Sequence, residues 1–375
     1  MSVGLYVHIP FCQKKCHYCD FNSYDDKGHL VNAYLDALKQ ELLLYRAHVQ
    51  IIGSIYIGGG TPSTLSPENI TKLLDAVRRS YYIQEKAEIT MEVNPGTCNC
   101  EKLMMMRMHG VNRLSIGLQA FNNDSLSKLG RIHTVEDFLA TYKEAREAGF
   151  DNINVDLIFG LPWQTGEEWQ DTLAGTLELK PDHISLYSLT IEKDTHFGRE
   201  LQAGNLHKID EDLEAEMYEN AVKLLTANGY EHYEISNFAK PGKRCEHNQL
   251  YWRNEDYLGV GAGATSYLGR IRYTNLKDIS AYIQKVMGQG KFATCERESL
   301  PHDKRLGETI MLYLRMMDGF NKIELGKRFK MNIDEIYGPT IKVLASEGLL
   351  QEKDDQVSLT AHGLMVANRV FQRFI

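Results

Sequence analysis

Three cysteines, Cys12, Cys16 and Cys19, stand early in the chain as Cys-x3-Cys-x2-Cys. Three thiolates on one tight loop can hold three irons of a four-iron cluster and leave the fourth iron without a protein sulfur. A pure electron carrier normally supplies four. An iron with an open position is what a chelating substrate or cofactor needs. Zinc is the competing reading; it wants a fourth ligand, and His8 and His17 are the nearby candidates. A disulfide fits poorly with seven cysteines, an odd number, and with no segment that reads as a secretory signal.

Such thiols need a rigid element to present them. Leu5, Val7 and Ile9 alternate with Tyr6 and His8, the period of a strand, so a strand over 3–9 is expected with the cysteines on the loop leaving it. Further strand-like runs fall at 54–58, 88–93, 113–118, 152–159, 183–189 and, with weaker patterning, 230–236. Helix-like stretches at 30–45, 66–81, 135–148, 166–179 and 210–228 lie between them. Repeated βα units imply a parallel sheet. Six or seven units in about 240 residues are too few for an eight-unit barrel and suit an incomplete (βα)6-type parallel barrel. The composition shifts after residue 240. A connector over 241–299 precedes a small, mainly helical domain at 300–375, with helices near 303–316, 322–329 and 334–347 and a hairpin turning at Asp354-Asp355. That order is winged-helix-like. Its 11 basic and 10 acidic residues point to packing or a lid rather than DNA reading.

Chemistry in such folds gathers at the ends of the strands. Ile57-Gly58-Gly59-Gly60-Thr61-Pro62 follows one strand, and glycines there let a backbone approach a ligand closely. Glu92 closes another strand, in reach of ribose hydroxyls or an ammonium. Gln119, Arg131 and Asp156 sit at or after later strand ends, an amide, a guanidinium and a carboxylate suited to a zwitterion bearing a ribose. For any one of these alone, ordinary rim hydrogen bonding is the favoured account.

With the cysteine motif these segments resemble the radical S-adenosylmethionine (SAM) superfamily. The resemblance implies a [4Fe-4S] cluster on Cys12, Cys16 and Cys19 whose open iron takes the methionine end of SAM. An electron from the cluster would split the sulfonium to a deoxyadenosyl radical. Tyr18 would pack beside the cluster. Tyr6, Gly59, Gly60, Thr61, Glu92, Gln119, Arg131 and Asp156 match SAM-contacting positions of the oxygen-independent coproporphyrinogen III dehydrogenases, the HemN-like group. The likeness covers most of 3–270 and, more loosely, the tail.

Two departures and one further motif bear on function. The dehydrogenases carry another cysteine two residues past the third cluster cysteine, where this chain has Phe21, and an N-terminal extension ahead of the first strand. Active decarboxylation of porphyrinogen propionates is therefore in doubt. His247-Asn248-Gln249-Leu250-Tyr251-Trp252 fits HNxxYW. Read physically it is a packed corner or a porphyrin contact, imidazole being a common axial ligand and Tyr and Trp supplying flat apolar faces. HNxxYW also resembles the mark of the haem-chaperone, HemW-like branch. That resemblance implies haem as cargo held by His247, Asn248, Tyr251 and Trp252, His247 as axial ligand, and an acceptor haemoprotein as partner. The cluster–SAM site would gate transfer, with the tail closing over the barrel mouth.

The remaining composition is consistent with this. A net charge of −8 over 375 residues disfavours general nucleic-acid or anionic-membrane binding. No apolar run approaches a membrane span, and free cysteines beside an oxygen-sensitive cluster point to the cytoplasm. A homodimer is compatible with all of this. Met104, Met105, Met106 and Met108 read as packing. Cys98 and Cys100 are expected near the barrel mouth as idle thiols, Cys245 and Cys295 show no partner pattern, and 259–264 reads as a tight glycine connector.

Overall fold

The computed structural model describes residues 2–375. Strands β1 (Val3–Ile9), β2 (Ile51–Gly59), β3 (Tyr82–Val93), β4 (Arg113–Gln119), β5 (Ile153–Phe159) and β6 (His183–Ser188) lie side by side in chain order, all parallel. Helices Val31–Tyr45, Pro67–Ser80, Cys100–Met108, Val135–Glu147, Gly166–Glu178 and Glu211–Ala227 follow them. Side-chain caps fix where several begin: Ser66 accepts from the Asn69 N–H, and Thr134 and Thr165 form capping boxes with Asp137 and Glu168.

This is the expected incomplete barrel, with two differences at its margins. Residues 230–236 do not add a parallel strand. They contain β7 (Glu231–Glu234), which turns back into β8 (Asn237–Ala239); β8 pairs antiparallel with β6, and β7 lies outside it, antiparallel to β8. Beyond β1, the glycine-rich segment contributes β9 (Tyr257–Val260), parallel to β1. The sheet then continues antiparallel through β10 (Thr265–Leu268), β11 (Ile271–Asn275) and β12 (Thr294–Glu298). Strands this short show too few alternations to announce themselves in sequence. The outer strands β12 and β7 do not pair, so the barrel stays open.

Alternation along the strands sorts their side chains. Leu5, Val7, Ile9, Ile55, Ile57, Leu114, Ile116, Val155 and Leu157 are buried in the main core under the helices. The opposite face is polar: Tyr6, His8, Tyr56, Glu92, Ser115, Asn154, Asp156 and His183 bond to one another or to neighbouring backbone, and Ser54 bonds the His247 side chain.

A seven-residue helix, Glu246–Trp252, lies across the N-terminal ends of β1 to β3. It is close enough that a Cβ on Gly4 would sit 2.9 Å from Leu250 Cδ1 and 3.2 Å from His247 Cε1. The Glu88 carboxylate accepts the first helical N–H groups, from Glu246 (3.1 Å) and His247 (3.2 Å).

Residues 300–375 form a second core around Leu306, Ile310, Phe320, Leu344 and Val357. Helices His302–Tyr313, Lys322–Phe329 and Ile333–Ser346 pack with a sheet of β13 (Phe320–Asn321), β14 (Leu350–Lys353) and β15 (Gln356–Leu359). Asp354 and Asp355 turn the hairpin at φ 50° and 63°, the pair of positive angles that a type I′ turn needs. The domain joins β7 by backbone: Ile235 N–H to Arg315 C=O and Met317 N–H to Tyr233 C=O, both 3.0 Å. Arg244–Asp318 (3.0 Å) and Arg272–Glu308 (2.7 Å) add ion pairs, and the Arg315 guanidinium lies 4.4 Å from the Trp252 ring centroid.

One buried carboxylate ties the first helix to the far side of the sheet. Glu41 accepts from Gly261 N–H (2.8 Å), Asn275 Nδ2 (2.7 Å) and Tyr282 OH (2.7 Å), and burial pushes its carboxyl up to about 7. Glu41→Ala strands three buried donors, so we expect a loss of about 3 kcal/mol, read as a lower urea midpoint at unchanged slope.

Candidate functional site

The loop after β1 is held from both sides. Cys12 N–H bonds Tyr24 C=O (2.9 Å) and Tyr24 N–H bonds Pro10 C=O (2.8 Å), which closes the loop on itself. His17 N–H reaches Leu129 C=O (3.0 Å), and Phe197 N–H reaches His17 C=O (2.9 Å). The His17 ring donates from Nδ1 to Lys128 C=O (2.9 Å), and both His8 nitrogens are engaged, by Tyr6 OH (3.0 Å) and Asn22 C=O (2.8 Å). His8 therefore has no free nitrogen to offer zinc. Among the described residues no three His, Cys, Asp or Glu groups converge on one ion. A cluster asks something different, one thiolate for each of three separate irons.

Cys12, Cys16 and Cys19 line a cavity of about 480 Å³ at the C-terminal ends of the parallel strands. Donors point at two of the thiols: Thr61 Oγ1 to Cys12 Sγ (3.5 Å) and Arg131 Nη1 to Cys16 Sγ (3.4 Å). Such donors favour the thiolate as a ligand. Burial works the other way, pushing the Cys12 and Cys19 thiols up. Gly60 leaves the space the cluster loop requires, since a Cβ there would lie 2.8 Å from Phe11 C=O and 3.0 Å from Cys12 Sγ. The donor set and the cradle fit an iron–sulfur cluster.

Tyr18, Gly59, Gly60, Thr61, Glu92, Gln119, Arg131 and Asp156 line the same cavity. Glu92 accepts from Tyr56 OH (2.9 Å) and Gly59 N–H (3.0 Å). Burial first, and then the charge of Asp156, push its carboxyl up to about 7. Burial also raises Asp156, which accepts from Ser115 Oγ and Asn154 Nδ2, both at 2.8 Å. Arg131 Nη2 is held by Asn94 Oδ1 (2.9 Å) and Gly117 C=O (3.1 Å). Two desolvated carboxylates facing a fixed guanidinium complement a ligand that carries both charges.

Tyr6 does not line the cavity. It stacks on Tyr56 beneath it, with centroids 6.3 Å apart and planes at 24°. Tyr56, Asn94, Ser115 and Tyr187 are lining residues that sequence reasoning passed over. Asn94 stands two residues after Glu92, so alternation from that strand end carried its signal; Tyr56, inside its strand, had none.

The HNxxYW residues lie elsewhere. His247, Asn248, Tyr251 and Trp252 belong to the helix at the opposite, N-terminal end of the strands, and none lines the cavity. His247 is fully buried; its Nδ1 pairs with Ser54 Oγ and its Nε2 with Tyr251 OH, both at 2.9 Å. Burial, then the nearby Arg113 charge, lower it to about 3. The expected axial ligand is thus neutral with no free ring nitrogen in this conformation. Trp252 Nε1 is buried and unpaired under Arg315.

One further expectation changes, the place of the tail. No residue of 300–375 lines the cavity, so the tail does not close over the mouth; it clasps the other end. Cys98 and Cys100 stay outside the cavity, and Cys98 sits against Thr97 at 4.0 Å. Leu103 and Met106 are buried, whereas Met108 is 78% exposed, so the methionine run packs only on one side.

Comparison with known proteins adds a second line of observation. Residues 6–174 match the radical SAM superfamily model and 300–366 the HemN C-terminal domain model. The chain is 39% identical over 373 residues to the heme chaperone HemW of Bacillus subtilis (strain 168), covering 99% of this chain and 98% of that one. It is 36% identical over 381 residues to that of Escherichia coli (strain K12), covering 100% and 98%. The solved structure of coproporphyrinogen III oxidase (HemN) from Escherichia coli superposes with a TM-score of 0.88 at 28% identity, over 100% of this chain and 90% of that one.

Gly60→Ala should sharply lower the iron bound per chain after anaerobic reconstitution. Gly28→Ala, where a Cβ meets nothing within 4 Å, should leave it unchanged. Iron analysis with visible absorption reads both.

Proposed function

Because this chain belongs to the HemW family within the radical SAM superfamily, we propose that it binds haem and passes it to an acceptor haemoprotein. The observation that carries this reading is the end-to-end likeness to heme chaperones in a chain that keeps HNxxYW and has Phe21 at the cavity rim. In this proposal, the cofactors belong to residues 1–240, the cargo motif to 241–299 and a clasp on that motif to 300–375.

Cys12, Cys16 and Cys19 would hold a [4Fe-4S] cluster, and Glu92, Gln119, Arg131, Asp156 and the Gly59–Thr61 backbone would hold SAM. When bound, these groups supply one-electron chemistry at the sulfonium. Arg131 balances thiolate charge, and the buried carboxylates orient the ligand's positive and hydroxyl groups. His247 remains our axial ligand for haem, in a conformation where Ser54 and Tyr251 have released it. Any influence of the cluster site on transfer would then run through the barrel rather than through a lid.

The second reading, SAM-dependent decarboxylation of porphyrinogen propionates, draws on the likeness to the coproporphyrinogen III oxidase structure. Decarboxylated tetrapyrrole formed only with SAM and reductant would favour it.

An anaerobic haem titration followed at the Soret band should saturate near one haem per chain, and His247→Ala should weaken it at least about tenfold, ~1.4 kcal/mol. No saturable binding to folded, cluster-loaded protein would overturn the chaperone reading. SAM affinity should rise with pH through about 7, because protonated Glu92 loses an acceptor for the ligand's donors. Calorimetry on Glu92→Gln should show that step gone.

A further inference from the structure

The haem motif and the cofactor cavity lie at opposite ends of the barrel, yet one side chain touches both. Tyr56 lines the cavity and donates its hydroxyl to Glu92 Oε1 (2.9 Å). Its ring also packs against the His247 imidazole in a tilted contact, with centroids 5.6 Å apart and planes at 30°. Ser54, two residues earlier on the same face of β2, holds His247 Nδ1 at 2.9 Å. Glu92 closes the path by accepting Gly59 N–H at 3.0 Å.

We infer that Tyr56 is a positioning residue for Glu92 that is itself propped by His247, so that iron ligation by His247 and SAM binding oppose each other. The cargo half of this inference rests on the haem reading above. Its physical basis is the packing around the imidazole. Both ring nitrogens are paired, to Ser54 Oγ and Tyr251 OH, and the ring is fully buried. A nitrogen can reach iron only if one of those bonds breaks and the ring leaves its seat, because close-packed interiors leave no room to turn in place. Removing the imidazole leaves the Tyr56 ring unsupported on that side. The hydroxyl that orients Glu92 then loses its fixed position, and a carboxylate pointed only by Gly59 N–H is a poorer partner for the ligand's donors.

The helix that carries His247 is fastened at both ends. Glu88 holds its first N–H groups, and Arg328 donates to the Arg253 (2.7 Å) and Asn254 carbonyls just past its end. The helix is thus held in place while the His247 ring leaves its seat, so the change falls on the packing against Tyr56. Equilibrium coupling is reciprocal, so SAM must weaken haem binding by the factor that haem weakens SAM binding.

The test uses the full, cluster-loaded chain, with SAM binding measured by calorimetry at saturating haem and without haem. Haem should weaken SAM at least about fivefold, and SAM should weaken haem equally. Tyr56→Phe keeps the ring and removes the hydroxyl, and should bring that factor towards one. Equal SAM affinity with and without haem, in a chain whose haem binding depends on His247, overturns the inference. A chain that takes no haem sinks the chaperone reading and leaves the decision to the haem-free arm. There, His247→Ala and Tyr56→Phe should each weaken SAM several-fold with helix content unchanged by circular dichroism. Unaltered SAM affinity in both variants overturns the inference there too.

Discussion

A polar group buried away from water must find a partner inside the protein, and in this chain that requirement falls on the inside of an incomplete barrel. Strand alternation gives the outer face to Leu, Ile and Val and leaves the inner face to Tyr56, Glu92, Ser115, Asn154, Asp156 and His183. At the upper end those groups are left facing a cavity, where a charged, hydroxyl-rich ligand can complete them. At the lower end protein completes them. The helix Glu246–Trp252 does this, giving His247 to Ser54 and its backbone N–H groups to Glu88. The motif read first as a haem contact is also the floor of the barrel.

That double placement explains why part of the site was legible in sequence and part was not. The cysteine loop, Gly59-Gly60-Thr61, Glu92 and Gln119 sit at or just past a strand end, and strand ends can be read from alternation. Asp156 lies mid-strand and Arg131 beyond the short helix after β4, so for these two the family resemblance carried the signal. All of them line one cavity. Tyr56 and Ser115 lie inside their strands, where a polar residue on an alternating pattern reads as solvent-facing. Only the closure of the sheet turns that face inward. HNxxYW was legible as a motif but not as a location, because no local pattern says whether a short helix packs outside a barrel or under it. Gly4 held that information, but a glycine in a strand announces close approach without naming the neighbour.

The C-terminal unit followed the same division. Its helices and the Asp354-Asp355 hairpin were evident from periodicity and turn chemistry, while its docking depended on side chains far apart in sequence. Arg244 meets Asp318, Arg272 meets Glu308 and Trp252 lies under Arg315. These pairs put the domain beside the HNxxYW helix rather than over the cavity.

An open sheet has two outer strands, each a row of unpaired N–H and C=O groups able to recruit a foreign strand. The two ends of this sheet are treated differently. On the β7 side, backbone from 315–317 bonds to residues 233–235, so the C-terminal domain serves as a covalently attached edge cap. On the β12 side no such cover lies on the strand among the described residues, and its exposed residues end in Glu296, Arg297 and Glu298, charges that make another strand an unwelcome neighbour. A chain shortened before the C-terminal domain would therefore expose, besides the barrel floor, a template for self-association.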